Sequence, residues 1–143
     1  MKIIVLLTFL LDQGCKHWIN RNLADGEQRD ILCGKLYITN LKNKGMAMGI
    51  LAEQRCFIYI TSITAIYNIF HLWGRTKGSE KFGLAVMAGG GISNVLDRFT
   101  KGEVTDYIYF KSRGRTPVFN LADVFAVLGM FIILVPRLLR KNG

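Results

Sequence analysis

Apolar runs alternate with polar, basic stretches along the chain, and the runs have the length of membrane crossings. Four blocks stand out: Lys2 to Ile19 (KIIVLLTFLLDQGCKHWI), Cys56 to Trp73 (CFIYITSITAIYNIFHLW), Phe82 to Leu96 with Asp97 at its edge (FGLAVMAGGGISNVL), and Val118 to Pro136. A helix rises about 1.5 Å per residue, so roughly 20 apolar residues cross the hydrocarbon core. The third block is short, which predicts a helix extending into its neighbours. The pattern predicts four spans, at about 2–19, 56–73, 82–97 and 118–136, in a single integral membrane domain covering 1–143.

Between the blocks the period changes. Asn20 to Arg55 contains LYITNLKNKGMAMGIL, whose alternation and glycines predict short strands or a small sheet lying on the membrane. Gly74 to Lys81 (GRTKGSEK) is a short turn, and Arg98 to Pro117 contains the strand-like GEVTDYIYF. The tail RLLRKNG is a basic stop after Pro136. The fold class expected is an all-α membrane protein with a small sheet outside the membrane.

The first block also has the outline of a cleaved signal peptide, ending in LLDQGC. Asp12 and Gln13 stand where such a signal wants a large apolar and a small residue. Asp12 and Lys16 are instead spaced i,i+4, acid first, as a helix ion pair wants. The reading is a retained helix.

The chain carries a formal charge of +9 with mean hydropathy +0.26. Its Lys and Arg residues flank the apolar blocks, which fits anionic lipid headgroups, and no recognisable nucleic-acid-binding module accompanies them. With four spans, both termini and the Gly74–Lys81 turn share one side, carrying seven Lys and Arg against eleven on the other. A positive-inside count therefore leans against placing the termini in the cytoplasm. Cys15, Cys33 and Cys56 form no CxxC pair, and His17 and His71 lie near no ligand pattern, so neither a metal nor a disulfide framework is expected.

Acids in apolar blocks are candidates for function by default. Asp12, Asp97 and Asp123 fall toward one membrane face, and the flanking segments bring Asn43, Arg98 and Asp106 to it. Each has a structural alternative. Asn120 and Asp123 have the spacing of an N-cap and its N3 acid, Asp97 with Arg98 could be an ion pair at a helix end, and the glycines of AGGG, Ala88 to Gly91, let helices approach. Two acids brought together would share one proton and activate water against an amide. Sequence order alone favours Asp97 as the partner of Asp123. A non-enzymatic transport or assembly subunit, whose acids glue helices or bind cations, also fits these residues.

Five blocks then resemble the bacterial lipoprotein signal peptidase family, in order and spacing: LDQGCK (Asp12, Lys16), NKGMAMGIL (Asn43, Gly45), GGGISNVLDR (Asn94, Asp97, Arg98), GEVTDYI (Asp106) and FNLAD (Asn120, Asp123). The resemblance implies four transmembrane helices with a small extracytoplasmic β-cradle. It also implies an aspartyl endopeptidase of the bacterial plasma membrane, with both termini cytoplasmic and the site toward the outer face. Such enzymes cut the signal peptide from a prolipoprotein before its diacylglyceryl-modified cysteine, with no metal or cofactor. The partners implied are those lipid-modified substrates and membrane lipids; a relative that only captures such signal peptides would be an adaptor. By motif position, Asp106 and Asp123 match the catalytic pair. Asn43, Gly45, Asn94, Arg98 and Asn120 match groups that contact substrate or support the pair, and Asp12, Lys16 and Asp97 match supporting polar groups. The chain departs from the pattern at Ser93, where glycine is usual, at Thr105, where an aliphatic is usual, and at Met46 and Met48.

Overall fold

The computed structural model describes residues 1–45, 54–111 and 117–141. Met46 and Met48 lie outside them. In chain order the elements are α1 (Lys2–Asn22), β1 (Gln28–Leu32), β2 (Leu36–Asn43), α2 (Arg55–Trp73), α3 (Gly78–Lys101), β3 (Val104–Phe110), β4 (Val118–Phe119) and α4 (Leu121–Lys141). The strands form one antiparallel sheet in the order β1-β2-β3-β4.

α3 is the axis of the helical part and packs against α1, α2 and α4. Three consecutive glycines make this possible, because each faces a different helix. A Cβ on Gly89 would lie 1.9 Å from Thr8 Oγ1 of α1, one on Gly90 would lie 2.8 Å from the Ala122 carbonyl oxygen of α4, and one on Gly91 would lie 2.6 Å from Ile66 of α2. Lower down, Gly83 and Gly129 bring α3 and α4 together in the same way. Close backbone approach of this kind is how membrane helices gain packing when burial of apolar surface drives nothing.

The distribution of side chains is inverted relative to a water-soluble domain. The largest wholly buried side chains are Lys16, Ile19, Asn40, Asn120, Thr105, Asp12, Asp97 and Ser93, all but one of them polar or charged. Meanwhile Leu6, Leu7, Leu10 and Leu11 of α1, and Val127, Met130, Phe131 and Leu138 of α4, are exposed. Such a continuous apolar exterior around a polar interior is matched by lipid, not water.

Several boundaries differ from the sequence expectation. The third block does extend, so that Gly78 to Lys81 belong to α3 and not to the preceding turn. Val118 and Phe119 pair with β3 as a strand, so α4 begins only at Leu121, and Asp123 sits in its first turn. Pro136 does not stop α4, which runs on to Lys141. Proline removes one N–H and leaves later residues free to bond, and Arg137 beyond it holds Glu80 of α3 at 2.8 and 2.9 Å. Among the described residues, two helical stretches qualify as spans by length and composition, Cys56–Trp73 at mean hydropathy 1.3 and Leu121–Leu139 at 2.1. The charged groups buried within α1 and α3 lower the hydropathy of those two helices.

Candidate active site

β3 and the start of α4 each bring one acid to a common cavity of about 290 Å³, lined among others by Asn43, Asn94, Arg98, Asp106, Asn120 and Asp123. Asp106 is delivered by the alternation of β3. Its neighbours Thr105 and Tyr107 face α1, where the Thr105 hydroxyl accepts a bond from Asn20 Nδ2 at 3.2 Å and the Tyr107 hydroxyl reaches Asp12. Gly102, in the left-handed region at φ +75°, ends α3 and turns the chain directly into this strand.

Asn43 reaches the same face because of an irregularity in β2. Ile38 lies opposite Ile108 and Leu41 opposite Asp106, so one extra residue intervenes at Thr39 and Asn40. An extra residue flips every later side chain to the other face. Without it Lys42 would face the cavity; with it Asn43 does. Asn40 is held there by donating Nδ2 to the Leu23 carbonyl at 2.9 Å, while its own carbonyl accepts from the Gly26 N–H at 2.7 Å.

The two carboxylates are held by amides. Asp106 accepts from Asn43 Nδ2 and from Asn120 Nδ2, each at 2.7 Å. Asp123 accepts from Asn94 Nδ2 and from the Asn120 backbone N–H, both at 3.2 Å, and its own N–H donates to Asn120 Oδ1 at 3.1 Å. Asn120 and Asp123 thus form a reciprocal capping pair, while the free end of the Asn120 amide ties Asp123 to Asp106. Gly45 steadies the rim: its N–H donates to Asn43 Oδ1 at 2.8 Å, and its carbonyl accepts from Arg98 Nη2 at 3.4 Å. Burial pushes the Asp106 carboxyl up from the usual 3.8 to about 6, and the charge on Asp123 adds to the rise. The bonds from Asn43 and Asn120, which favour the charged form, oppose it.

Asp12, Lys16 and Asp97 lie behind the cavity. Lys16 Nζ is 2.6 Å from Asp12 and 2.8 Å from Asp97, and donates to Asn94 Oδ1 at 2.7 Å. That bond orients Asn94 so that its amide nitrogen meets Asp123. Asp97 is also paired with Lys101 at 2.7 Å. The structure therefore separates Asp97 from Arg98, whose side chain lines the cavity, and the ion pair anticipated between them gives way to Lys16 and Lys101. A buried charge cluster like this is secure only while every member is present.

Two contributors lay outside the sequence expectation. Ser93, buried, donates its hydroxyl to Asp12 and accepts from Gln13 Nε2 at 2.9 Å. Tyr107 donates to Asp12 Oδ1 at 3.2 Å and accepts from the Leu121 N–H at 3.1 Å. The only sequence signal for Ser93 was its departure from glycine; Tyr107 was marked only by adjacency to Asp106.

A cavity that holds two carboxylates at one end of a helical fold with an apolar exterior is the arrangement of a membrane aspartic peptidase. The chain belongs to the signal peptidase II family, which it matches over residues 4–139. It is 36% identical over 135 residues to the lipoprotein signal peptidase of Halalkalibacterium halodurans, covering 92% of this chain and 86% of that one. It is 35% identical over 140 residues to that of Bacillus subtilis, covering 95% and 91%. Its fold is similar to two solved bacterial membrane enzymes determined by the in meso method. One superposes with a TM-score of 0.88 at 26% identity, covering 99% of this chain and 88% of the other, and the second with 0.79 at 25%, covering 95% and 90%.

Proposed function

We propose that this protein is an aspartic endopeptidase that removes the signal peptide from diacylglyceryl-modified prolipoproteins, cutting before the lipid-modified cysteine, with Asp106 and Asp123 as its catalytic pair. The observation that carries the assignment of the pair is the shared cavity, in which one asparagine, Asn120, bonds to both acids. One carboxyl keeps a proton while the other is charged. The charged acid takes a proton from water as its oxygen attacks the scissile carbonyl; the other donates to the carbonyl oxygen. The resulting tetrahedral species collapses as the leaving nitrogen takes up a proton. Asn43, Gly45, Asn94, Arg98 and Asn120 hold the acids and the cavity rim, and Asp12, Lys16 and Asp97 hold Asn94 and the helices.

In this reading the chain is one integral membrane domain of four crossing helices. Both termini are cytoplasmic, and the sheet and cavity are at the outer face of the plasma membrane. What supports it is the placement of the acids at the sheet end, where a bond next to a lipid-anchored cysteine would lie near the interface.

Co-expression with a lipid-modified prolipoprotein, in cells lacking their own processing enzyme, tests the proposal by size shift. Wild type converts the precursor, and Asp106→Asn and Asp123→Asn each lower the rate by about a hundredfold or more, as loss of an acid–base group does. An uncut precursor with wild type, or variants that cut as well as wild type, would sink it.

A further inference from the structure

The peptidase reading leaves a question of geometry. Asp106 lies on a strand and Asp123 on a helix, so their separation depends on how the start of α4 is fixed to β3. Helix N-termini carry N–H groups without partners inside the helix, and water commonly takes them. Here the first three are each taken by a side chain. Leu121 N–H donates to the Tyr107 hydroxyl at 3.1 Å, Ala122 N–H to Asp12 Oδ1 at 3.1 Å, and Asp123 N–H to Asn120 Oδ1 at 3.1 Å.

Tyr107 is a further link between the two acid-bearing elements, beside Asn120 and the β3–β4 pairing. It follows Asp106 on β3 and is 5% exposed, facing away from the cavity. Its hydroxyl accepts from α4 and donates to Asp12 Oδ1, the same oxygen that receives Ala122. Asp12 cannot swing to compensate, because its other oxygen is taken by Ser93 and Lys16. Burial and the Asp12 charge push the Tyr107 hydroxyl well above its usual range, so it keeps the proton that this bond needs.

We propose that Tyr107 is a positioning residue for the cleavage: its hydroxyl locks the first turn of α4 to β3 and so sets the distance from Asp123 to Asp106. The inference rests on the peptidase reading. Catalysis by paired groups is sensitive to displacements of about 1 Å, so the loss belongs in the chemical step and not in substrate capture.

The test is Tyr107→Phe, which removes one oxygen and leaves the ring packing intact. Purified enzyme in lipid nanodiscs is assayed on a synthetic diacylglyceryl-modified prolipoprotein peptide, with the folded fraction measured by thermal melting so that kcat is expressed per folded molecule. The expected result is a kcat about tenfold lower, the rate equivalent of one lost hydrogen bond, with KM within about twofold of wild type. An unchanged kcat per folded molecule, or a loss carried wholly by KM, overturns the positioning role. Wild type and Asp106→Asn run alongside. If wild type leaves the peptide whole, the peptidase reading itself falls; if wild type cuts and Tyr107→Phe matches it, only this inference does.

Discussion

At the scale of single residues, the site is governed by which groups favour a charged carboxylate. Asp106, pushed to about 6, keeps a proton in mildly acidic solution. In the proposed reaction, loss of that proton would set an alkaline limb in the rate profile, one that belongs to the coupled pair. Asn43 donates to the Asp106 carboxylate at 2.7 Å, so Asn43→Ala removes a bond that favours ionisation. The alkaline limb of kcat/KM then moves to higher pH, a shift that a pH series on the two enzymes reads directly. Stability carries a matching sign. The folded value lies above the usual 3.8, so the contribution from Asp106 is complete below that value and is lost as pH rises through about 6. Asp106→Asn has no such term. The melting midpoint of wild type minus that of the variant should therefore fall between pH 4 and pH 7; a flat difference would refute the elevated value. Sequence order pointed to Asp97 as the partner of Asp123, because spacing along a chain does not show where a strand folds back. The strand pairing of β3 with β2 and β4 is what brings Asp106 to the cavity, and Asp97 turns to Lys16 instead.

At the scale of elements, α3 determines how closely the other helices approach. Its three glycines give a ranked prediction. Gly89→Ala drives a methyl into Thr8 and the Val5 carbonyl oxygen of α1, and Gly90→Ala drives one into the backbone of Ala122. Backbone cannot yield cheaply, so each is expected to lower stability by about 1–3 kcal/mol. Gly90→Ala should in addition depress cleavage per folded molecule, because Ala122 adjoins Asp123. Gly91→Ala meets only the flexible tip of Ile66 and should be the mildest of the three in thermal melts. The apolar blocks made the helices legible, and the glycine run announced close packing, since composition and period act locally. Less legible were the strand at Val118–Phe119, which exists only through pairing with β3, and the extra residue in β2. That extra residue decides whether Asn43 or Lys42 faces Asp106, and its cause lies in contacts of Asn40 with Leu23 and Gly26, far off in sequence. Pro136 misled for the opposite reason: a local rule about helix stops was overridden by the packing of α4 on α3.

At the scale of the whole molecule, the polar interior and apolar exterior explain why composition alone gave a membrane protein but not its orientation. Seven Lys and Arg on the terminal side face eleven on the sheet side, and by number that places the sheet in the cytoplasm. The proposed chemistry demands the reverse, because the scissile bond of an exported, lipid-anchored substrate lies at the outer leaflet. The two arguments make opposite predictions for single exposed positions. Asp25 precedes β1 at the sheet end and is 74% exposed, and Ser79 is exposed in the first turn of α3, just after the connection from α2. On a background with Cys15, Cys33 and Cys56 replaced, Asp25→Cys should react with a membrane-impermeant maleimide on intact cells. Ser79→Cys should react only after the membrane is opened. The inverse pattern would leave the catalytic pair on the side where the lipid-modified precursor is not cut, and the outer-face arrangement would have to be abandoned along with the role assigned to the sheet.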